Sequence, residues 1–360
     1  MNQPRYFKVF VLSFGLLAGS YGSSASGEER AEPVVLDLKL GLESDSNAAR
    51  SDRASARRDL LTRYSLKLST RERLKGQQLS MTLRSGGKLY EEVSTEDTLL
   101  NQATLGYTAF PLYDEQTPSR WFVFTSGSLK DRTDRGSARD YVRGRGDIGT
   151  GARLGLLTMS GGVGYNYFGF KPNPTLSNHG LGVSVGLKVN VRDVWGARVG
   201  FRQQTKRFST SKVLSSPDGL MLDDSAQRRD DVVVVSGGLS YQGLFVADLE
   251  FTYLSNTSNS YGQGITRQGV ALSTTTPLFW DILLNSRLGI QRTTYADPLE
   301  VDEAIGVDED NRNNVVLSLE RPLYGAVRAE VRYALYTQEF GLESVDYNRQ
   351  LVFAGLGVEY

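Results

Sequence analysis

Cysteine is absent from the 360 residues, and histidine occurs once, as His179. Without cysteine there is no disulfide framework, no thiolate metal centre, no cysteine nucleophile and no site for lipid attachment near the amino terminus. A single histidine leaves no room for a multi-histidine site, so neither a metal nor a cofactor is expected. Charge of one sign is lacking as well: Lys+Arg and Asp+Glu are 41 each, and the formal charge is zero. That balance excludes a general nucleic-acid binder, which needs a basic excess to neutralise phosphates. Long apolar runs are missing except for Val9–Gly19, which is shorter than the ~20 residues a membrane-spanning helix requires. Helical periodicity is missing too. What is abundant is glycine, at 38 residues, together with 18 Tyr and 15 Phe, a composition unlike that of a helical enzyme or of a disordered chain.

The first 25 residues order themselves as a charged segment with Arg5 and Lys8, the apolar run, and small residues ending in Ser23-Ser24-Ala25. This is the arrangement of a secretory signal peptide. Leu17-Ala18-Gly19-Ser20 has the shape of a lipoprotein processing box, but Ser20 stands where cysteine is obligatory. Residues 1–25 are therefore read as a signal peptide and 26–33 as a short periplasmic lead-in. Removal of the leader takes away two basic residues and no acidic one, which leaves a mature chain of net −2.

From Val34 to the last residue the hydrophobic period is two. In Ala326–Tyr336, Val327, Ala329, Val331, Tyr333 and Leu335 fall on one face, and Arg328, Glu330 and Arg332 on the other. The same split recurs in Leu36/Leu38/Leu40/Leu42 against Asp37/Lys39/Glu43, and in Phe245/Ala247/Leu249/Phe251/Tyr253 against Asp248/Glu250/Thr252. Marking each such run gives strands at 34–44, 58–69, 76–86, 98–110, 120–130, 145–157, 160–170, 179–190, 194–206, 231–241, 244–255, 264–275, 280–293, 313–321, 326–338 and 347–360. Most are long enough to cross a bilayer at a tilt, which takes ~9–11 residues, whereas soluble strands run to ~5–6. Connections after even strands read as short, and those at 45–57, 131–144, 207–230 and 294–312 as long and polar. Short turns on one rim and long loops on the other is the layout of an all-β, transmembrane, antiparallel up-and-down barrel spanning 34–360, with about sixteen strands (14–18 fit the boundaries).

Alternation alone does not say which face is wet. A closed sheet of sixteen strands is too wide for side chains to fill, so its interior must hold water and its charged face belongs inside. Closure also pairs every backbone donor, as hydrocarbon demands. Tyr64, Tyr107, Trp121, Tyr165, Tyr167, Trp195, Tyr253, Trp280, Tyr295 and Tyr333 fall near strand ends, where an interfacial girdle needs them. On this register the lumen wall carries Lys39, Arg63, Lys67, Arg84, Lys130, Arg153, Lys188, Arg198, Arg202, Arg287, Arg328, Arg332 and Arg349. It also carries the acids Asp37, Glu43, Asp248, Glu250, Glu320, Glu330 and Glu359. The basic excess predicts a pore that weakly favours anions.

The last strand ends on Tyr360, with Val358, Leu356 and Ala354 on the same face. It resembles the carboxy-terminal assembly signal of bacterial outer-membrane β-barrels of the porin-like kind. That resemblance implies the outer membrane of a Gram-negative bacterium, and as partners the barrel assembly machinery, outer-membrane lipids and lipopolysaccharide. Leu42–Asn47 and Tyr253–Tyr261 are similar to the Ser-Asn loops of barrels in polysaccharide-export and surface-assembly systems, which implies periplasmic envelope-complex partners.

Three functions are weighed. The first is a porin-like channel for small hydrophilic solutes, with no enzymatic activity and no catalytic residues. The second is the barrel of an envelope machine for polysaccharide export, surface-protein assembly or gliding motility. The third is an outer-membrane hydrolase centred on His179, beside Ser177 and Asn178, although no partner orients that imidazole. Loop 294–312 holds Asp297, Glu300, Asp302, Glu303, Asp308, Glu309 and Asp310 without calcium-loop spacing, so a solvated acidic loop is expected. Loop 131–144 offers Arg132, Arg135, Arg139 and Arg143 to lipopolysaccharide phosphates or to the lumen, with a self-paired surface loop as the plainer reading. Loop 207–230, with Leu220, Met221 and Leu222, is expected to pack on something.

Overall fold

In the computed structural model, residues 32–49, 56–111, 120–137, 139–192, 194–216, 219–297, 313–338 and 347–360 are described. Their strands are β1 (Glu32–Asp45), β2 (Asp59–Leu74), β3 (Gln77–Tyr90), β4 (Thr98–Ala109), β5 (Trp121–Asp134), β6 (Tyr141–Leu154), β7 (Leu157–Phe170) and β8 (Asn178–Val191). There follow β9 (Trp195–Ser216), β10 (Gly219–Gln242), β11 (Val246–Ser258), β12 (Ile265–Pro277), β13 (Leu283–Tyr295), β14 (Asn313–Tyr324), β15 (Val327–Gln338) and β16 (Tyr347–Glu359). Each pairs antiparallel with the next, and β16 returns to β1, so the sheet closes into a sixteen-stranded barrel. The proposed signal peptide, and the lead-in up to residue 31, lie outside the described residues. β1 begins at Glu32, two residues inside that lead-in.

The period-two alternation sets the two faces. On β1 the side chains of Val34, Leu36, Leu38, Leu40 and Leu42 are all exposed, although apolar, while Glu43, on the opposite face, is fully buried. Exposed large apolar side chains continue around the circumference on every strand but β4, whose residues are all half-buried. The charged face is the concave one, because side chains on it meet across several strands: Lys39 of β1 reaches Glu330 of β15 at 2.8 Å and Glu320 of β14 at 3.5 Å. A closed sheet with an apolar exterior and an ionic interior satisfies its backbone internally and suits hydrocarbon outside and water inside. The fold is a closed sixteen-stranded antiparallel β-barrel of the membrane-spanning kind.

At the short-turn rim the aromatics form a belt. Trp195 packs on Tyr241 at 4.7 Å between ring centroids, Tyr241 on Phe245 at 4.9 Å, and Phe279 on Trp280 at 4.7 Å. Trp121, Tyr324 and Tyr360 are exposed at the same level. Two of the aromatics expected in a girdle do other things. Tyr64 sits within β2, with its ring over the space beside Gly87, and Tyr295 pairs with Ile265 on the inner face.

Three boundaries differ from the sequence reading. The stretch 131–144 is largely strand: β5 runs to Asp134 and β6 starts at Tyr141. The stretch 207–230 is not a loop but the outer half of the β9–β10 hairpin, which turns between Ser216 and Gly219. β8 stops pairing with β9 at Phe208, and β11 stops pairing with β10 at Asp230, so the hairpin rises above its neighbours as a two-stranded ribbon. The β4–β5 connection, expected to be short, runs from Phe110 to Arg120. Above the bilayer both faces of a strand are wet, so the apolar/polar alternation that marks a strand disappears while its ladder continues.

Candidate functional site

The inner wall is the surface on which the strands assemble chemistry. The register puts all the expected wall residues on one face. On β1 to β3 these are Lys39, Arg63, Lys67 and Arg84, with Lys67 directly opposite both Asp37 and Arg84. On β5, β6 and β8 they are Lys130, Arg153 and Lys188, the last two both opposite Thr158. Arg198 and Arg202 stand on β9 opposite Lys188 and Ser184. Asp248 and Glu250 stand on β11, and Arg287 on β13 opposite Ser273. Glu320 of β14 pairs with Glu330 of β15, whose face also carries Arg328 and Arg332. Arg349 of β16 pairs with Tyr336.

These residues do not form a uniform lining. Around β14, β15, β16 and β1 to β3 they knit into an ionic network. Glu43 is its hub: its carboxylate accepts from Arg63 Nη1 at 2.7 Å, Lys88 Nζ at 3.0 Å and Arg332 Nη2 at 3.3 Å. Nearer the short-turn rim, Arg328 pairs with Asp37 at 2.7 Å and with Glu359 at 2.5 Å. Phe353 also faces inward, and the Arg332 guanidinium lies 4.7 Å from its ring centroid. Lys39, Arg63, Glu330, Arg332 and Phe353 border a recess of about 180 Å³ in the wall. On the far side, Arg198 grips Asp248 through two hydrogen bonds of 2.7 Å and lies 3.9 Å from Glu250.

Every carboxylate of the wall between the rims is thus in an ion pair, and Asp147 is held the same way by Arg145 at 2.6 and 2.7 Å. Not every cation is. Among the described residues, Lys67, Arg84, Arg143, Arg202 and Arg287 make no salt bridge. Arg202 lies within electrostatic reach of Arg145 and Arg143 as well as Asp147. Between Arg202 and Arg145 the inner face of β7 and β8 carries Gly162, Gly164, Asn166, Gly180, Gly182 and Ser184, mostly glycine, while Arg143 stands opposite Phe168.

Sequence reasoning missed Lys88, Arg145 and Asp147 as wall residues, and it named Arg143 as a loop residue, whereas Arg143 stands on β6. One signal was legible. Arg-x-Asp at a spacing of two puts both side chains on one strand face, and three such pairs close bidentate inside the barrel: Arg132/Asp134, Arg145/Asp147 and Arg228/Asp230. In the former loop 131–144, Arg132 and Arg139 therefore spend their charge on Asp134, and Arg135 lies 3.4 Å from Asp97.

The Ser-Asn segments brace the outer rim. Asn256 and Ser258 donate to buried Asp230, Asn259 Nδ2 donates to the Gln227 carbonyl, and Ser260 Oγ accepts from Val213 N at 2.9 Å, holding the base of the ribbon. In the first segment Asp45 and Asn47 are buried. Of loop 294–312, Asp297 accepts from Gly262 N at 2.9 Å, and residues 298–312 lie outside the described ones.

His179 does not join Ser177 or Asn178. The register sets it opposite Tyr167 on the outward face, against the Tyr165 ring at 6.3 Å. Asn178 faces inward opposite Phe168, and Ser177 Oγ accepts from Phe170 N at 2.9 Å. On β16, Ala354, Leu356 and Val358 pair with Leu42, Leu40 and Leu38 on the outward face, and Tyr360 exchanges two 2.8 Å backbone hydrogen bonds with Leu36.

No family model and no curated protein matches the sequence. Among solved structures the chain is similar to an anion-selective porin from Comamonas acidovorans, with 10% identity over 92% of this chain and 100% of that one, at a TM-score of 0.45. It is similar to a bacterial polysaccharide outer membrane secretin, with 8% identity over 90% and 98% of the two chains, at a TM-score of 0.41. It is similar also to the Pseudomonas putida toluene transporter TodX, with 10% identity over 91% and 90%, at a TM-score of 0.36. Likenesses of this size say nothing about solute or partner.

Proposed function

We propose that the protein is a porin-like channel through which small hydrophilic solutes cross the outer membrane, with a weak preference for anions. A ring of sixteen strands is wide enough for an aqueous passage. The observation that carries the preference is the charge balance of the wall: its carboxylates are all paired, while Lys67, Arg84, Arg143, Arg202 and Arg287 are not matched by acids among the described residues. A fixed positive surplus along a confined path raises the local concentration of anions. Reversal potentials in planar bilayers under a salt gradient test this; anion preference is expected, and clear cation preference or absence of conductance removes the reading.

In this reading the barrel is not an enzyme, and H179A leaves lipid and peptide hydrolysis assays unchanged. Its partners are outer-membrane lipids and the barrel assembly machinery, for which Ala354, Leu356, Val358 and Tyr360 present the outward face of β16. One observation favours a second role within an envelope machine. The β9–β10 ribbon stands above the ring, with Leu220, Met221 and Leu222 exposed. Co-purification of envelope proteins with the wild type but not with L220S/M221S/L222S supports that role.

A further inference from the structure

On the inner face, Lys130 of β5 stands directly opposite Arg143 of β6, and Arg143 directly opposite Phe168 of β7. Like charges set opposite one another across a ladder destabilise it. The neighbouring carboxylates cannot relieve this pair, because each is already engaged: Asp134 by Arg132 and Arg139, Asp147 by Arg145, and Asp131 by Lys171. Neither Lys130 nor Arg143 makes a salt bridge among the described residues. Arg202 adds a third cation within electrostatic reach of Arg143.

Aromatic rings flank the pair, on a face that meets water. The Tyr141 ring centroid lies 5.5 Å from Lys130 Nζ and 5.5 Å from the Phe168 centroid, with the two ring planes at 35°. Phe170 stacks on Phe168 at 6.4 Å and 10°. Phe170 is buried, but Tyr141 and Phe168 are only half-buried, and Arg143 is exposed. One row further out, Arg132 stands opposite Tyr141 and is neutralised by Asp134 at 2.9 Å. Lys130 and Arg143 are therefore the first unmatched cations that the inner faces of β5 and β6 offer to a solute entering from the long-connection rim.

We infer that Lys130, Arg143, Tyr141 and Phe168 form a solute-binding site for an aromatic carboxylate, with the carboxylate between the ammonium and the guanidinium and the ring against Phe168 and Tyr141. This rests on the channel reading and names the class of anion carried. A guanidinium offers a carboxylate two parallel hydrogen bonds, and an anion between the two cations removes their repulsion. Rings whose centroids come within ~4.5–7 Å gain from offset or edge-to-face contact, which a saturated ring of the same size does not supply. An inorganic anion would leave the rings unused, and an uncharged aromatic would leave both cations unmatched. Arg202, across the glycine-rich inner face of β7 and β8, gives the carboxylate a next partner, as passage through a pore requires.

The test is block of the chloride current through the purified barrel in planar bilayers by benzoate and by cyclohexanecarboxylate, both ionised at neutral pH. Benzoate is expected to halve the current at about a fifth, or less, of the concentration that cyclohexanecarboxylate requires. K130Q/R143Q is expected to raise the half-blocking concentration of benzoate about tenfold, and F168A to bring it to that of cyclohexanecarboxylate. K171Q, which alters an exposed cation on the β7–β8 connection paired with Asp131, is expected to be blocked as the wild type is. Equal block by the two anions overturns the assignment, as does undiminished block of K130Q/R143Q or a loss of the same size in K171Q. A chloride current that benzoate leaves intact removes the site and spares the channel. Absence of any current removes the channel instead, and calorimetric titration of the detergent-purified barrel with the same two anions then decides the site, with tighter binding of benzoate expected and equal or no binding overturning it. The comparison of anions on the wild-type protein holds even if a variant fails to fold.

Discussion

Arg349 donates from Nε to both carboxylate oxygens of Asp45, at 2.9 Å each, across the seam where the last strand meets the first. Its Nη2 also donates to Tyr90 Oη at 2.7 Å, and that hydroxyl donates to Asp45 Oδ2 at 3.1 Å. Both partners of the ion pair are almost fully buried. Removing one leaves the other charged and unmatched, which costs about 3–5 kcal/mol in buried pairs. R349A is therefore expected to unfold at markedly lower urea in lipid vesicles, whereas D45N/R349M recovers part of the loss. Equal urea midpoints for R349A and the wild type would show that the seam does not depend on this pair.

Glu43 holds three cations at once, Arg63, Lys88 and Arg332. E43Q keeps the shape of the side chain and releases positive charge into the lumen. The expected result is a reversal potential displaced toward stronger anion preference, together with a stability loss of about 2 kcal/mol from weakened charged hydrogen bonds. A stability loss without any change in selectivity would place the hub outside the conducting path.

Arg143 and Arg202 lie within electrostatic reach of one another across the glycine-rich inner face of β7 and β8. R143E/R202E inverts the local field without touching the Arg145–Asp147 pair, and is expected to convert anion preference to cation preference in the same bilayer recording. If R198Q, which breaks a paired arginine, had the larger effect, the unmatched cations would not be setting selectivity.

Gly180 lies where a Cβ would overlap the carbonyl oxygen of Thr205 on β9. Backbone cannot yield as a flexible side chain does, so G180A must push β8 from β9. Overpacking of this kind costs about 1–3 kcal/mol. At Gly127 the nearest atom to an added Cβ is 3.8 Å away, and G127A is expected to fold with the yield and urea midpoint of the wild type.

On the ribbon above the ring, the Asp223 carboxylate accepts from Ser225 Oγ and N and faces Lys212 Nζ at 3.0 Å. The Ser225 hydroxyl first, and then Lys212, hold its pKa at about 2, below the ordinary ~3.9. A carboxyl lowered on folding stabilises above its unfolded pKa, and that contribution disappears as pH falls through the folded value. Carbon-detected NMR titration is expected to give a midpoint near 2 for Asp223 and a higher one in S225A. An unchanged midpoint in S225A would show that the hydroxyl is not the cause.

The strand count and the two faces were legible from residues such as Leu36 to Leu42 and Val327 to Leu335, because lipid against one face and water against the other writes a period of two into the chain. The ribbon of β9 and β10 was not legible: past Arg207 and Asp231 both faces are wet, and the strand ladder leaves no trace in hydropathy. The acids of the wall were legible singly, but not the fact that Glu43 would gather Arg63, Lys88 and Arg332 from three other strands.

By itself, then, the sequence determined the architecture, since alternation over sixteen segments admits few structures other than a closed sheet with its ionic face inside. Which wall charges cancel and which stay available was decided only by the tertiary structure. Ion pairing depends on the stagger between strands that closure imposes, and that stagger brings Lys39 to Glu330 and Asp45 to Arg349 across nearly the full length of the chain.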